Sequence, residues 1–357
     1  MMLARHRLLA LAVLVFPAAA TSVASAETVE EFYRANRVTV AIGSGVGGSH
    51  DLNARIIARH IGRFLPGMPT VISQNVPGAG SVKLANHLYS GAPKDGSMIG
   101  ALNRGGVFEA LYAEPGKARS KFDPLKFNWL GAPDNISSVA IVWHTSKIRS
   151  HKDLATHTAV FGSSGGTTTT VPLILQRLVG YKFKIVQGYK SGGDVDLAIE
   201  RGEIEGRGAT AWGGMKSRHA DWLKEKKVRM LFQTGLTKHP ELQDVPLALD
   251  FAPNPEARKV MALFFAAEEI GYPYVAPPGL AADRLKALRD GFALTLKDSR
   301  YVADAKKQGL DINPVSWQRM TEVITDSFTA PEALKDRLRR SVAYDKGTKK
   351  KTKKKKE

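Results

Sequence analysis

The sequence predicts an α/β protein of two domains, with a hinge and a cleft between them. Short β-branched segments alternate with segments of helical periodicity, a pattern typical of parallel strands joined by helices. The length of 357 residues is sufficient for two domains of ordinary size. Several predicted strands also run directly into glycine-rich turns, which allow a backbone to approach a ligand closely.

The first three strand–turn–helix units define the start of the first domain. Apolar, β-branched segments predict strands at 38–42, 70–73 and 97–102. Glycine-rich turns follow each strand, and helical periodicity resumes after the first two turns. Two further helices, at 282–296 and 317–328, are expected to pack on this domain.

The second domain repeats this alternation of strands and helices. Strands are predicted at 139–143, 158–161, 184–186 and 228–233, and helices at 172–178 and from the end of the turn 188–194 to Arg201. We therefore predict a discontinuous first domain, 27–132 and 247–344, interrupted by a second domain, 133–246. A chain that crosses between domains more than once is typical of a hinge beside a cleft.

The amino-terminal segment predicts export. In 1–26, basic residues precede an apolar run at 8–16 that is too short to span a bilayer, and 24–26 fits an A-x-A cleavage site. The mature chain is then expected to begin at Glu27. The sequence has no cysteine, which excludes disulfides and a lipid-modified cysteine. We predict a freely diffusing periplasmic protein without a transmembrane helix.

The carboxyl-terminal segment 345–357 is low in complexity and carries eight lysines. It cannot bury apolar surface, so it is predicted to be disordered. No aromatic residue interleaves with the lysines for base stacking, so no nucleic-acid partner is predicted. Part of the net charge of +18 lies in this segment, and the remaining basic charge attracts anions without selecting one.

The two turns after the first and second strands predict a cradle for an anion. A helix that starts at a glycine turn directs free N–H groups and a positive dipole end toward whatever lies there. Asp51 is predicted either to cap its helix or to contact a donor on the ligand. The candidate ligand-binding residues of these turns are Gly47, Gly48, Ser49, His50, Asp51, Gly78, Ala79, Gly80 and Ser81.

Further candidates follow the third strand and the strands of the second domain. Arg104 or Lys190 is predicted to neutralise a distal carboxylate. Hydroxyl groups beside glycines are suited to hydrogen bonding with a bound carboxylate. The candidates in the second domain besides Lys190 are Ser163, Ser164, Thr167, Thr168, Gly192 and Asp194.

Two enzyme-like motifs point to other chemistries. Gly43, Gly45 and Gly48 fit G-x-G-x-x-G, but the second strand ends in Gln74 and Asn75 and lacks the acid that a dinucleotide ribose requires. The histidines do not fall at metal-ligand spacing, so we predict neither cofactor nor metal.

The segment 162–166 fits the G-x-S-x-G pattern of a serine hydrolase, with Ser164 as the nucleophile. Asp194 and then His219 or His239 follow in the order that a triad requires. Four threonines after the motif form a poor helix start, which disfavours this pattern. An exported serine hydrolase remains the alternative prediction.

Several short motifs, taken in order, resemble the Bug-type solute receptors of tripartite tricarboxylate transporters. The segment 47–55 is similar to G-G-S-x-D-x-x-A-R, and 75–80 is similar to N-x-P-G-A-G. The segments 92–96 and 240–246 resemble A-x-P-D-G and P-x-L-x-D-V-P. The resemblance covers most of 35–330.

The resemblance implies a two-domain periplasmic binding protein of the type II kind. It implies a small organic carboxylate held between the domains, with the turns at 44–51 and 77–81 at one end and those at 163–168 and 189–194 closing over it. It further implies a binding protein, not an enzyme, that delivers its ligand to a membrane permease. We expect a monomer.

Overall fold

The computed structural model describes residues 27–47, 49–189 and 191–343. The predicted signal peptide, the lysine-rich segment 345–357, Gly48 and Lys190 lie outside these residues. Eleven strands are numbered in chain order within the described part: β1 Val38–Ile42, β2 Val71–Asn75, β3 Met98–Ala101, β4 Asn128–Ala132, β5 Ser138–Trp143, β6 Ala159–Ser163, β7 Phe183–Gln187, β8 Gly206–Ala211, β9 Val228–Gln233, β10 Tyr274–Ala276 and β11 Val315–Ser316.

Fourteen α-helices accompany these strands in the described ranges. Many of them begin at a polar cap, such as Ser191 before α7 and Asn254 before α10, whose side chains accept hydrogen bonds from the first helical turn. The helices are α1 Val29–Ala35, α2 Ser49–Ile61, α3 Val82–Ser90, α4 Arg104–Val107, α5 Glu109–Tyr112, α6 Thr167–Leu178, α7 Gly192–Glu200, α8 Trp212–Arg218, α9 Ala220–Lys224, α10 Pro255–Glu269, α11 Ala282–Lys297, α12 Ser299–Lys307, α13 Trp317–Phe328 and α14 Glu332–Val342.

The first sheet has the order β11-β4-β10-β3-β1-β2. Strand β1 is parallel to β2 and to β3, whereas β10 is antiparallel to both β3 and β4. Because β1, β2 and β3 run in the same direction, the turns that follow them meet at one edge of the sheet. This edge carries the predicted anion cradle.

The second sheet has the order β7-β6-β8-β5-β9. Strand β6 is parallel to β7 and β8, and β5 is antiparallel to β8 and β9. The turns after β6 and β7 therefore also share an edge. Both sheets are mixed, because each contains antiparallel strands beside a parallel set.

The helices cover the sheets and join the two halves of the molecule. Helices α2 and α11 pack on the first sheet, with Ile56 and Phe292 buried. Helix α14 contacts α5 beside the first sheet and α6 beside the second sheet, and it also packs on α10. A continuous apolar cluster runs through α10 to both sheets, with Val275 and Phe232 among its members. The halves therefore share part of their core.

The predicted fold class of two α/β halves is confirmed, and several local predictions are corrected. Thr167–Thr170, expected to be a poor helix start, form the first turn of α6. The segment 150–154, which reads as the start of a helix, forms only a short 3-10 helix, His151–Ala155. The boundaries of the two domains remain a prediction. No helix in the described part of the chain combines the length and apolar character that a membrane crossing requires.

Candidate functional site

The three turns at the edge of the first sheet are joined by one buried hydroxyl. Ser81 Oγ donates to the carbonyl of Gly43 at 2.9 Å and accepts the N–H of Asn103 at 2.8 Å. A Cβ at Gly43 would lie 2.2 Å from that hydroxyl, so only glycine allows this contact. The predicted turns therefore come together, but the Ser81 hydroxyl holds the turns and is not free for a ligand.

The turn after β2 has an unusual backbone. Four successive residues have positive φ: Gly78 at 149°, Ala79 at 49°, Gly80 at 64° and Ser81 at 78°. Positive φ is costly for the two non-glycine residues, and such strain often concentrates at binding sites. The N–H of Ser81 is donated to the carbonyl of Gly78, so the turn satisfies part of its own polar backbone.

Asp51 holds the first turn and the second strand in place. Its carboxylate accepts the Gly47 N–H at 2.9 Å, the Asn75 amide at 2.7 Å and Arg55 Nε at 3.0 Å. Burial raises the pKa of this carboxyl, but the hydrogen bonds from Arg55, Asn75 and Gly47 outweigh burial and lower the pKa below its ordinary value. Asp51 lies in the first turn of α2, and these contacts occupy both carboxylate oxygens within the protein.

His50 lies beside Asp51 and is buried. Its imidazole stacks on Tyr272, with ring centroids 5.7 Å apart. Neither ring nitrogen has a hydrogen-bond partner among the described residues. Burial lowers the pKa of His50 to about 4, and the nearby charges of Asp51 and Arg104 act in opposite directions. The ring is therefore neutral at pH 7.

In the second half, the turn after β6 is held by hydroxyl contacts. Ser163 is buried, and its Oγ lies 2.8 Å from Thr168 Oγ1 and 2.5 Å from Thr169 Oγ1. Thr168 also donates to the carbonyl of Gly165 at 2.6 Å. These hydroxyls order the start of α6. Ser164, in contrast, is exposed.

The turn after β7 is closed by a helix cap. The carboxylate of Asp194 accepts the N–H and hydroxyl of Ser191, and Ser191 accepts the Asp194 N–H in return. Gly192 and Asp194 line an open depression on the second half that does not include the candidates of the first half. Asp194 therefore has a clear structural role.

A cavity of about 650 Å³ lies between the two halves. Arg104 and its neighbours Asn103 and Gly105 line one side, and Thr167 and Thr170 at the start of α6 line another. The Arg104 guanidinium makes no hydrogen bond or ion pair with any described residue. Of the predicted site residues, Arg104 and Thr167 are thus brought together at one cavity.

Glu268 lines the same cavity from α10 and is almost completely buried. Its carboxyl accepts hydrogen bonds from the hydroxyls of Ser138, at 3.3 Å, and Thr234. Burial raises the pKa of Glu268, while nearby Arg104 and the two hydroxyls lower it; the net change is upward. A neutral carboxyl can donate a hydrogen bond to an anion in the cavity.

A second, smaller pocket of about 190 Å³ lies where the chain crosses between the halves. Ser49 lines it from α2, Asp134 from the segment between β4 and β5, and Arg218 from α8. Ser49 is the only predicted candidate among the residues that line this pocket. His50 lies behind it, through its stack on Tyr272.

The predicted hydrolase triad is not assembled. His219 Nε2 lies 2.8 Å from Asp196 Oδ2, and His239 Nδ1 accepts the N–H of Glu241. Asp194 is occupied by Ser191. Within the described ranges, no hydrogen bond joins Ser164 to a histidine. The geometry gives the hydrolase alternative no support.

Sequence reasoning missed several residues of the larger cavity. Glu268 lies within a long amphipathic helix, where an acid normally indicates a solvated face. Tyr112 and Thr170 also line the cavity, as does Arg339 from α14. Only the helix periodicity of α10, which places Glu268 on the same face as the buried Met261, Phe264 and Phe265, carried a signal.

Solved structures of solute-binding proteins resemble this chain in fold. A TctC solute-binding protein from Polaromonas has a TM-score of 0.64 and 14% identity, covering 85% of this chain and 99% of that chain. An R. palustris protein solved with adipate has a TM-score of 0.58 and 17% identity, covering 86% and 97%. MatC from Rhodopseudomonas palustris, with bound malate, has a TM-score of 0.54 and 16% identity, covering 86% and 99%.

These similarities confirm the predicted fold class, that of two-domain periplasmic solute-binding proteins. The resemblance expected from the short motifs is thus found again at the level of structure. No protein-family model matches the sequence, and a search of curated proteins finds no match.

Proposed function

We propose that this protein is an extracytoplasmic receptor that captures a small organic carboxylate between its two halves. The observation that carries the proposal is the Arg104 guanidinium, which faces a cavity of about 650 Å³ and has no partner among the described residues. A guanidinium that is partly removed from water gains most from a bidentate carboxylate. The cavity is large enough for an acid of a few carbon atoms.

The other walls of the cavity suit the same ligand. Thr167 and Thr170 offer hydroxyl donors from the second half, and Glu268 offers a carboxyl whose raised pKa favours the neutral, donating form. Donors from both halves converge, so ligand binding would favour a closed arrangement. The R. palustris proteins solved with adipate and with malate support a carboxylate as the ligand class.

Binding without chemistry is part of the proposal. The loaded receptor would deliver its ligand to the membrane permease of a tripartite tricarboxylate-type transporter, and the mature chain would act in the periplasm as a monomer. Sequencing the amino terminus of the exported protein tests the cleavage after Ala26. A fluorophosphonate probe tests the enzyme alternative, because labelling that disappears in Ser164→Ala would contradict a pure binding role.

Ligand binding is tested by calorimetry with adipate, malate and other C4–C6 dicarboxylates. Arg104→Gln removes a charge-assisted contact worth about 1.5–3 kcal/mol, so affinity should fall roughly ten- to a hundredfold. Arg34→Gln, an exposed arginine on α1, is the matched control and should bind like the wild type. If no small acid binds, or if Arg104→Gln binds equally well, the proposal fails.

A further inference from the structure

The smaller pocket lies where the chain passes from one half to the other and is here called the crossover pocket. It contains an acidic and a basic side chain, Asp134 and Arg218, that the proposed carboxylate site does not use. It is lined by Ser49, Asp134, Arg218, Tyr272 and Asp311, among others, and has a volume of about 190 Å³. These residues come from both halves and from the segments that join them, such as the one between β4 and β5 that contains Asp134. The crossover pocket shares no lining residue with the larger cavity, although the charge of Arg104 in that cavity acts on Asp134 and Tyr272.

Asp134 is the acid of the crossover pocket. Its side chain is nine-tenths buried, and Oδ1 has no hydrogen-bond donor among the described residues. Lys216, the lysine whose charge acts on Asp134, is already shared between Asp311 and Glu241 at 2.6 Å from each. Burying a carboxylate oxygen without a hydrogen-bond donor is unfavourable for the folded protein. A ligand that donates a hydrogen bond to Asp134 Oδ1 would remove this cost.

Arg218 is the base of the crossover pocket. It ends α8, and its guanidinium has no ion pair or hydrogen bond within the described part of the chain. Tyr272 lines the same pocket, and the charges of Asp134 and Arg218 both act on it. Burial is the main cause that raises the pKa of Tyr272, and Asp134 and Asp311 add to it. Arg104 and Arg218 act in the opposite direction, and the net change is upward. An acidic side chain, Asp134, and a basic one, Arg218, therefore line the same pocket as the Tyr272 ring.

We propose that the crossover pocket binds a small zwitterionic amino acid, with its ammonium on Asp134 and its carboxylate on Arg218. Above pH 8, where Asp134 is ionised, a simple carboxylate could pair with Arg218 but would leave the buried Asp134 Oδ1 unpaired and would be repelled by it. A simple amine would meet Asp134 but would gain nothing from the exposed Arg218 guanidinium. A molecule that carries both groups gains a charge-assisted contact at each end. This proposal does not rest on the carboxylate site at Arg104.

Proton release should accompany this binding. Burial, with the neighbouring Asp311, raises the pKa of Asp134 to about 8, while Lys216, the Asn313 N–H and Arg104 act against them. Arg218, Tyr272 and His239 also face the pocket. Asp134 is therefore mostly protonated at pH 7, and an ammonium favours its ionised form. Affinity should rise by up to about tenfold per pH unit between pH 6 and 8 and then level off.

The test is calorimetry with glycine, β-alanine and 4-aminobutyrate against acetate, propionate and butyrate, which lack the ammonium. The zwitterions should bind at least tenfold more tightly than their matched acids. Titration in two buffers of different ionisation enthalpy should show proton release at pH 7. Equal binding of both series, or the absence of proton release, would overturn the proposal.

Variants separate this pocket from the larger cavity. Asp134→Asn keeps the shape of the side chain and should weaken zwitterion binding at least tenfold, and Arg218→Gln should do the same from the other side of the pocket. Asp290→Asn, an exposed acid on α11, is the matched control. Arg104→Gln should weaken dicarboxylate binding, whereas its effect on zwitterion binding should be confined to the pH profile, whose rise moves to higher pH because Arg104 lowers the pKa of Asp134. Zwitterion binding that survives both pocket variants would refute the assignment, whatever the dicarboxylates do.

Discussion

The hydroxyl of Ser81 lies 2.9 Å from the carbonyl oxygen of Gly43, and this contact joins two turns that are 38 residues apart. The same hydroxyl accepts the N–H of Asn103 at the start of the third turn. One buried side chain thus fixes the relative positions of three turns. Arg104, which directly follows Asn103, takes its position from this arrangement.

Ser81→Ala should destabilise the protein. The substitution leaves the Gly43 carbonyl and the Asn103 N–H without their buried partner, at a cost of about 1–3 kcal/mol. The measurement is urea denaturation of the variant and the wild type. Ser90→Ala, which removes an exposed hydroxyl bonded to Asn86, is the control and should change stability by less than about 0.5 kcal/mol. A wild-type stability in Ser81→Ala would show that the hydroxyl is dispensable.

Asp51→Asn should weaken the first turn. The amide cannot accept from Gly47, Arg55 and Asn75 as the carboxylate does, and a loss of about 1–3 kcal/mol is expected at pH 7. The pKa of Asp51 is lowered in the folded state, so its contribution is present above about pH 4 and is lost as the pH falls through the folded pKa.

Denaturation of wild type and Asp51→Asn from pH 7 down to pH 2 measures this contribution. The difference between the two proteins should shrink at the acid end. Asp326→Asn, an exposed aspartate of α13, is the control. A difference that stays constant down to pH 2 would contradict the role of the ionised carboxylate.

The features that could be predicted from the sequence are those with a local cause. Strand β9 has four large apolar residues among its six, Val-Arg-Met-Leu-Phe-Gln, and its bounds agree with the prediction. Strand β8 was missed because it reads Gly-Arg-Gly-Ala-Thr-Ala, which lacks a strand pattern. A Cβ at Gly206 would lie 2.0 Å from the carbonyl oxygen of Ile141, so this strand needs glycine for close packing. That requirement comes from the neighbouring strand and leaves no signal in the local sequence.

The candidate site shows the same limit. Arg104 could be predicted because it follows a strand among glycines. Glu268 is 164 residues away along the chain, and it reaches the same cavity because α10 packs against α4, the helix that begins with Arg104. For Asp51, the sequence left two roles open, a helix cap or a ligand contact. In the structure its carboxylate accepts a hydrogen bond from Asn75, at the end of another strand, which no local pattern could indicate. Contacts between distant segments decide these roles.

His50→Phe should remove a loss of stability in mild acid. The folded pKa of about 4 lies below the unfolded value of about 6.5, so the unfolded chain binds the proton more tightly between these values. Stability therefore falls as the pH decreases from 6.5 to 4, by roughly 3 kcal/mol in total from this residue. Phenylalanine keeps the stack on Tyr272 and does not titrate.

The measurement for His50 is urea denaturation between pH 7 and pH 4, a range that lies above most of the Asp51 titration. The fall in stability should be smaller in His50→Phe than in the wild type. His87→Phe, an exposed histidine on α3, should retain the wild-type fall. An identical fall in His50→Phe would show that the buried imidazole does not resist protonation.

Glu268→Gln should change how ligand binding and stability respond to rising pH. The raised pKa means that the folded state holds the proton more tightly than the unfolded chain. The resulting stability is present at low pH and is lost as the pH rises through the folded pKa, above the ordinary carboxyl range. Ionised Glu268 would also repel an anion bound at Arg104, so wild-type affinity for a dicarboxylate should fall over the same range.

Glutamine keeps the shape of the side chain and remains neutral, so both losses should disappear in Glu268→Gln. Parallel titrations with adipate and urea denaturation from pH 5 to 9 measure the two effects. Glu203→Gln, an exposed glutamate near Arg201, should follow the wild type. If the wild-type affinity for adipate is flat over this range, Glu268 does not face the bound anion. If the affinity falls equally in Glu268→Gln, another group is responsible for the titration.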